Sequence, residues 1–288
     1  MRPTSASRRT RNGSNGRTCT STNSEQVGKM KIVFIGAGKL AVNLGRALLQ
    51  AGHDVVQVYS RTIEAASEMA AVVGGSPTSD ITTLSNEADA YIIAVSDAAM
   101  PDLIPQLCKG REQKVFMHTA GSMPMDVFSG MALHYGVFYP MQSFSKGRDV
   151  DFNTIPCFIE ANDDCAMRII GELAGSVSSK VTELSSEDRK YLHLAAVFAC
   201  NFVNHCYAIS ADILAEHGLS FDVMYPLIDE TVRKVHQMEP AKAQTGPAVR
   251  YDGNVIRNQS MLLRGNPLVK DIYERMSMSI HRKAERND

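Results

Sequence analysis

The chain has 288 residues, 44% of them hydrophobic, with 30 basic and 31 acidic side chains for a formal net charge of −1. That length suits one large or two ordinary domains, and the apolar content excludes a disordered or collagen-like protein. The balance argues against a general nucleic-acid-binding surface, but it averages two unlike segments. Residues 1–29 carry Arg2, Arg8, Arg9, Arg11, Arg17 and Lys29 against Glu25, a net of +5, which leaves −6 for residues 30–288.

Residues 1–29 are Ser, Thr, Asn, Arg and Gly with almost nothing apolar, so they are expected to form a disordered extension. Met30 directly precedes the first strand-like run and is a candidate true start. The six cysteines include no C-x-x-C pair, which fits a reducing cytoplasm. No uninterrupted apolar run of about 18 residues exists, since Leu192–Ile209 is broken by His193, Asn201, Asn204 and His205. No membrane span is expected.

From Met30 onward, short apolar runs alternate with segments of 3.6-residue period, the pattern of βαβ units. Strands are predicted near 31–36, 54–59, 90–95 and 114–118, with helices near 39–51, 62–73 and 97–108. The runs Ile32–Ile35 and Tyr91–Val95 are continuously apolar, as in a sheet covered on both faces. A strand near 156–160, a helix near 163–174 and a strand near 180–184 follow. A long helix is then predicted from Glu187 to about His217, entered through a Ser185/Asp188 capping box and closed by Gly218. Further helices are predicted near 220–238, 253–264 and 267–281. The expected architecture is an α/β, Rossmann-type, doubly wound parallel sheet over 30–150, followed by a mostly α-helical domain over 151–288.

Gly36-Ala37-Gly38-Lys39-Leu40-Ala41 fits G-x-G-x-x-A, directly after a strand and opening a helix. Gly36 permits the tight turn, Gly38 lets backbone approach a pyrophosphate, and the helix N-terminus offers free N–H groups. At the end of the second strand an acid would accept the ribose hydroxyls of NAD, but Asp54 begins that strand, roughly 16 Å away. Ser60-Arg61-Thr62 stands there instead, and its hydroxyls and guanidinium suit a 2′-phosphate, so NADP is expected. Two more strand ends, Ala94-Val95-Ser96-Asp97 and His118-Thr119-Ala120-Gly121-Ser122, should face the same crevice. Val95, Ser96 and Thr119 are further cofactor candidates. His118 is open to two readings, a contact to nicotinamide or substrate, or a buried, satisfied histidine.

The series G-A-G at 36–38, S-R-T at 60–62, A-V-S-D at 94–97, H-T-A-G-S at 118–122, Y-P-M-Q-S-F-S at 139–145, N-F-V-N-H at 201–205 and Q-T-G-P-A-V-R-Y-D at 244–252 resembles one family. It is similar to the Rossmann-like NADP or deazaflavin-dependent oxidoreductases with a helical C-terminal domain of unassigned function. The first domain resembles pyrroline-5-carboxylate reductase, and the domain pairing resembles the 6-phosphogluconate dehydrogenase group. The resemblance implies the fold and a nicotinamide cofactor but no substrate. Gln259 stands where the resemblance leads one to expect a histidine.

Candidate chemistry in the second domain lies on the long helix. At 100° per residue, Asn204 falls about 20° from His193, Cys200 about 20° to the other side, and Asn201 about 80° away. This polar stripe either braces helix against helix or lines a substrate cleft, with His193 as proton donor. No metal site is expected, because His205 and Cys206 turn away and no short-spaced ligand pair completes a set. Arg250 either clamps a substrate carboxylate or pairs with Asp252, the second being favoured. The expected function is hydride transfer between NADP and a small C=O or C=N substrate held between the domains, in a homodimer. The alternative is a non-catalytic NADP-binding redox sensor or interaction protein.

Overall fold

The computed structural model describes residues 28–145, 147–148 and 150–286; the expected disordered extension lies, but for its last two residues, outside them. The first compact unit ends at Lys190 and the second begins at Tyr191.

In the first unit, β1 (Lys31–Ile35), α1 (Lys39–Gln50), β2 (Asp54–Tyr59), α2 (Ile63–Val73) and β3 (Ser76–Thr78) form one run of parallel pairings. β4 (Ala90–Ile93), α3 (Met100–Cys108), β5 (Val115–His118) and β6 (His134–Pro140) extend the sheet. β7 (Cys157–Ala161), α4 (Asp164–Val177) and β8 (Val181–Glu183) complete it. The strand order is β3-β2-β1-β4-β5-β6-β7-β8. All neighbours are parallel except β6 and β7. The Rossmann-type sheet is therefore mixed rather than wholly parallel. The sheet also continues past residue 150, because β7 pairs with β6 and α4 packs on both.

Alternation along β1 explains the two cores. Ile32 and Phe34 join Leu44, Leu48, Ile170 and Leu173 on one face. Val33 and Ile35 join Tyr91, Ile93, Ile104 and Phe116 on the other. Both sets are buried because successive side chains of a strand point to opposite faces and helices cover each.

The long helix begins as α5 (Ser186–Ala196), passes through a π-helical segment at Val197–Phe202 and continues as α6 (Val203–Glu216). Its expected cap is present: Asp188 N–H donates to Ser185 Oγ at 3.1 Å, and that hydroxyl donates to Asp188 Oδ2 at 2.8 Å. The second unit continues with α7 (Tyr225–Gln237), the single turn α8 (Pro240–Ala243), α9 (Gly253–Leu262) and α10 (Pro267–Ala284). Among its described apolar residues only Ala248 is buried. By length and composition, the helix over Ser186–Glu216 would suffice to cross a membrane, with mean hydropathy 1.3 in its most apolar window. The interrupting polar residues deny it an unbroken apolar run without lowering that mean below a spanning value.

Candidate functional site

A pocket of about 480 Å³ opens at the carboxyl ends of β1, β2 and β4. It brings together Gly36, Ala37, Gly38, Ser60, Arg61, Val95 and Ser96, all expected cofactor contacts, and adds Asp102, Leu103 and Gln106 of α3. Ligands of open parallel sheets bind outside these strand ends.

The glycine turn shows why the motif is built as it is. Gly36 has φ +104°, and a Cβ there would lie 2.4 Å from the Ala94 carbonyl oxygen, so neither backbone conformation nor space admits a side chain. Gly38, by contrast, has φ −75° and open space within 4 Å of a Cβ position. It is the N-cap of α1 without a side-chain capping bond, and the first turn holds no acid. The free N–H groups and positive helix end therefore face an open cradle, which fits a pyrophosphate.

At the end of β2, Tyr59, Ser60 and Arg61 line the same pocket. Thr62 caps α2, its Oγ1 accepting from the Ala65 N–H at 3.4 Å, and leaves its own hydroxyl proton to donate elsewhere. Asp54 pairs in register with Lys31 at the far end of the strand and makes an ion pair with Lys29 at 2.9 Å. Among the described residues lining the pocket, none at the end of β2 is a carboxylate. The donor set there fits a 2′-phosphate better than bare ribose hydroxyls, although Glu64 in the first turn of α2 places one negative charge nearby.

The remaining candidates separate. Lys39 lines a second groove along α1 and α2, and Leu40 packs partly against the core. Thr119 is buried, its hydroxyl donating to the Ile93 carbonyl. His118 is fully buried: Nδ1 accepts from the Ala120 N–H at 3.2 Å, and Nε2 lies 3.3 Å from the Pro124 carbonyl. These partners require the neutral Nε2–H tautomer. Burial, reinforced by the Arg189 guanidinium, lowers its pKa to about 4. With both ring nitrogens committed to backbone, His118 is a brace, and the catalytic role expected of it does not fit this geometry.

Beneath that brace lies a network that sequence reasoning missed. Arg189, 1% exposed, donates to Glu160 Oε2 at 2.6 Å, to the Met123 carbonyl at 2.7 Å and to Ser186 Oγ at 3.0 Å. Ser186 donates its N–H and hydroxyl to the two Glu160 oxygens at 2.8 and 2.6 Å. Burial alone would raise the Glu160 pKa, but the Ser186 and Arg189 bonds outweigh it and hold the carboxyl below its usual value. The network ties the β5 loop, β7 and the root of α5 together. Its one sequence cue is Arg189 immediately after the capping box; the isolated Glu160 carries none.

On the long helix, the π segment changes the expected stripe. Its turns close i→i+5, so each residue advances about 80° rather than 100°. Counted through Val197–Phe202, Asn201 falls within about 20° of His193, while Asn204 and Cys200 lie about 90° away. The regular-helix spacing had the assignment reversed. In the 244–252 segment, Asp252 caps α9 by accepting from the Val255 N–H, and no Arg250–Asp252 ion pair occurs among the described residues. Gln259 accepts from the Tyr273 hydroxyl at 2.7 Å.

With this geometry established, comparison with known proteins gives the family. Residues 31–120 match the model described as NADP oxidoreductase, coenzyme F420-dependent, and residues 155–280 match a domain of unknown function, DUF2520. A proposed NADP oxidoreductase of Bacteroides fragilis is 50% identical over 89% of this chain and 100% of its own, with a TM-score of 0.85. The chain belongs to this family of NADP oxidoreductases. An imine reductase of Myxococcus stipitatus in complex with NADP+ shares the fold at 14% identity and TM-score 0.63, covering 89% of this chain and 94% of its own. A pyrroline-5-carboxylate reductase of Coxiella burnetii does so at 15% identity and TM-score 0.56, covering 90% and 98%. No curated protein matches the chain in sequence. The DUF2520 match begins close to residue 151, the expected domain start, whereas the compact units divide at Lys190.

Proposed function

We propose that this family member binds NADP and passes a hydride between its nicotinamide and a small C=O or C=N carbon. The observation that carries the reading is the pocket uniting the uncapped N-terminus of α1, the Ser60-Arg61 phosphate donors and the Val95-Ser96 strand end. When bound, the nicotinamide supplies or accepts the hydride. The chain's own task is to hold it and to manage one proton. Since His118 is committed to backbone, His193 is the proton donor we assign, with Asn201 on the same helix face and Asn204 a quarter-turn away. His193 and Asn201 stand roughly 11 Å apart along the axis, a span that suits a small substrate held between a proton donor at one end and an amide at the other.

The test is NADPH oxidation against ketones, cyclic imines and a deazaflavin, with binding measured separately. His193→Ala is expected to cut turnover at least about a hundredfold, within the usual range for a general acid, with NADPH affinity unchanged. Unaltered turnover removes His193 from the mechanism. NADPH binding without oxidation by any of these acceptors returns the redox-sensor reading.

We also propose that the second unit is completed by a second copy of the chain. Leu262 is 83% exposed, Leu268 71%, Leu227 64% and Phe198 61%. Each such side chain gains about 1.5–3 kcal/mol on burial. A helical unit with one buried apolar residue among those described lacks a core of its own. Light scattering that gives a mass of twice 31.5 kDa supports this; a stable monomer refutes it.

A further inference from the structure

We infer that Ser186 is a positioning residue: with Arg189 and Glu160 it fixes the loop over residues 119–125, and that loop sets how the nicotinamide ring lies. This rests on the nucleotide-binding reading above and extends it from the phosphates to the reacting ring.

The sheet order says where that loop falls. Arg61 stands at the end of β2, the glycine turn at the end of β1 and Val95-Ser96 at the end of β4. β5 is next in the sheet, and its last residue, His118, pairs in register with Ile93. A dinucleotide with its 2′-phosphate at β2 and its pyrophosphate at β1 therefore runs on toward β4 and β5 with its nicotinamide half. From β2 to β5 is three strand spacings, about 14 Å, a distance an extended dinucleotide covers. The loop leaving β5 adjoins the pocket wall, since the Ser122 hydroxyl donates to Asp97, the neighbour of Ser96.

The loop has no regular ladder, yet it is gripped along its length. Its Ala120 N–H and Pro124 carbonyl close on the two nitrogens of His118. Its Met123 carbonyl accepts from the buried Arg189 at 2.7 Å, and its Met125 N–H donates to Ser186 Oγ at 2.9 Å. Ser186 is the junction of this cluster. Its hydroxyl accepts from Met125 and Arg189 and donates to Glu160, which uses its proton and both lone pairs. A hydroxyl so saturated has one orientation, and a fully satisfied polar network of this kind rigidifies what it joins.

The cluster lets placement be separated from affinity and from buried charge. Arg189 and Glu160 bond to each other directly at 2.6 Å, so removing the Ser186 hydroxyl strands neither. What is lost is the anchor of Met125. None of residues 119–125 lines the phosphate pocket, so the contacts that hold the two phosphate groups stay in place.

The experiment uses the full-length chain with NADPH, below the melting transition of every variant, and compares wild type with Ser186→Ala and with Ser186→Thr, which keeps the hydroxyl. Calorimetry gives the dissociation constant, and the fluorescence lifetime of the saturated complex reports the ring, because motion quenches the excited nicotinamide. Wild type is expected to lengthen the lifetime over free NADPH. Ser186→Ala should hold the dissociation constant within about threefold while the lifetime falls back toward the free value. Hydrogen exchange at the Met125 amide should quicken about tenfold in the same variant, and Ser186→Thr should restore both readouts. A merely structural role would lower the melting temperature of Ser186→Ala and leave the bound lifetime unchanged. That unchanged lifetime overturns the inference with nucleotide binding intact, as does a Ser186→Thr no better than Ser186→Ala or a wild-type lifetime equal to that of free NADPH. Failure of NADPH to bind wild type overturns the nucleotide reading and this inference with it.

Discussion

His118 sits at the end of β5, neutral because its surroundings refuse the proton, and that makes the first unit acid-sensitive in a calculable way. In the unfolded chain the imidazole takes up a proton as pH falls through its ordinary 6.5; in the folded protein it does not until about 4. Between these values the unfolded state binds more protons, so stability rises with pH there. The His118 contribution is complete above 6.5 and is lost as pH falls toward 4. At 1.36 kcal/mol per unit the whole window is worth about 3 kcal/mol, and the part between pH 6.5 and 5 about 2 kcal/mol. Stopping at pH 5 keeps the measurement above the Glu160 window, since that carboxyl is held below its usual value and loses its contribution only at lower pH. Urea denaturation followed by circular dichroism at pH 7 and pH 5 is the assay, comparing wild type with His118→Gln. His53, whose pKa is also lowered by burial, contributes equally to both proteins and cancels. Wild type should lose about 2 kcal/mol more than the variant over this interval. An imidazole resonance of His118 titrating near 6.5, or identical losses in both proteins, refutes the argument.

The two motif glycines should respond in opposite ways. Gly36→Ala is expected to destabilise the fold by more than about 2 kcal/mol, through its positive φ and the clash with the Ala94 carbonyl. Gly38→Ala should shift stability by less than about 0.5 kcal/mol, yet weaken NADPH binding at least tenfold by filling the cradle; thermal melts and calorimetry separate the two effects. Arg61→Ala should raise the NADPH dissociation constant by about 10- to 100-fold, as expected for a charge-assisted bond, and leave NADH unchanged. Glu160→Ala strands the buried Arg189 charge and should cost about 3–5 kcal/mol in denaturant melts. A loss under 1 kcal/mol would mean that Arg189 is solvated.

The Rossmann-type half of the fold was legible because its signals are local. The apolar run of β1, the glycine turn, the helix after it and the missing acid at the end of β2 all lie within Lys31–Thr62, and all meet at one pocket. The strands that escaped notice have weak local character. β3 is Ser-Pro-Thr, three residues long, and β6 is H-Y-G-V-F-Y-P, with a glycine inside and a proline at its end. Gly136 admits the close approach of β7, since a Cβ there would clash with the Glu160 carbonyl, but a lone glycine does not name its partner strand. Glu160 and Arg189 were invisible for a related reason: 29 residues apart, they become a pair only when β7 and the root of α5 come together.

The π segment is where a correct element led to a wrong face. A helix over Ser186–Glu216 follows from periodicity and capping, but a wheel assumes one angular step throughout. Six residues with wider turns shift the phase by about 100–120°, which exchanges Asn201 for Asn204 beside His193. The amino-acid pattern V-F-A-C-N-F does not announce this, since nothing in it breaks a helix. A π bulge gives up some backbone hydrogen-bond quality and persists where its altered phase is useful. Here the phase places a histidine and an amide on one face, two turns apart, on the helix that α5 anchors through the Arg189–Glu160 pair. That geometry gives the bulge a test independent of substrate identity. Deleting Ala199 should restore a continuous α-helix and keep helicity by circular dichroism, and because it removes the one residue that the bulge inserts, it leaves Asn201 within about 20° of His193. If the shared face of His193 and Asn201 serves the reaction, turnover and NADPH affinity both hold in the deletion; turnover lost with helicity and NADPH affinity intact refutes that face.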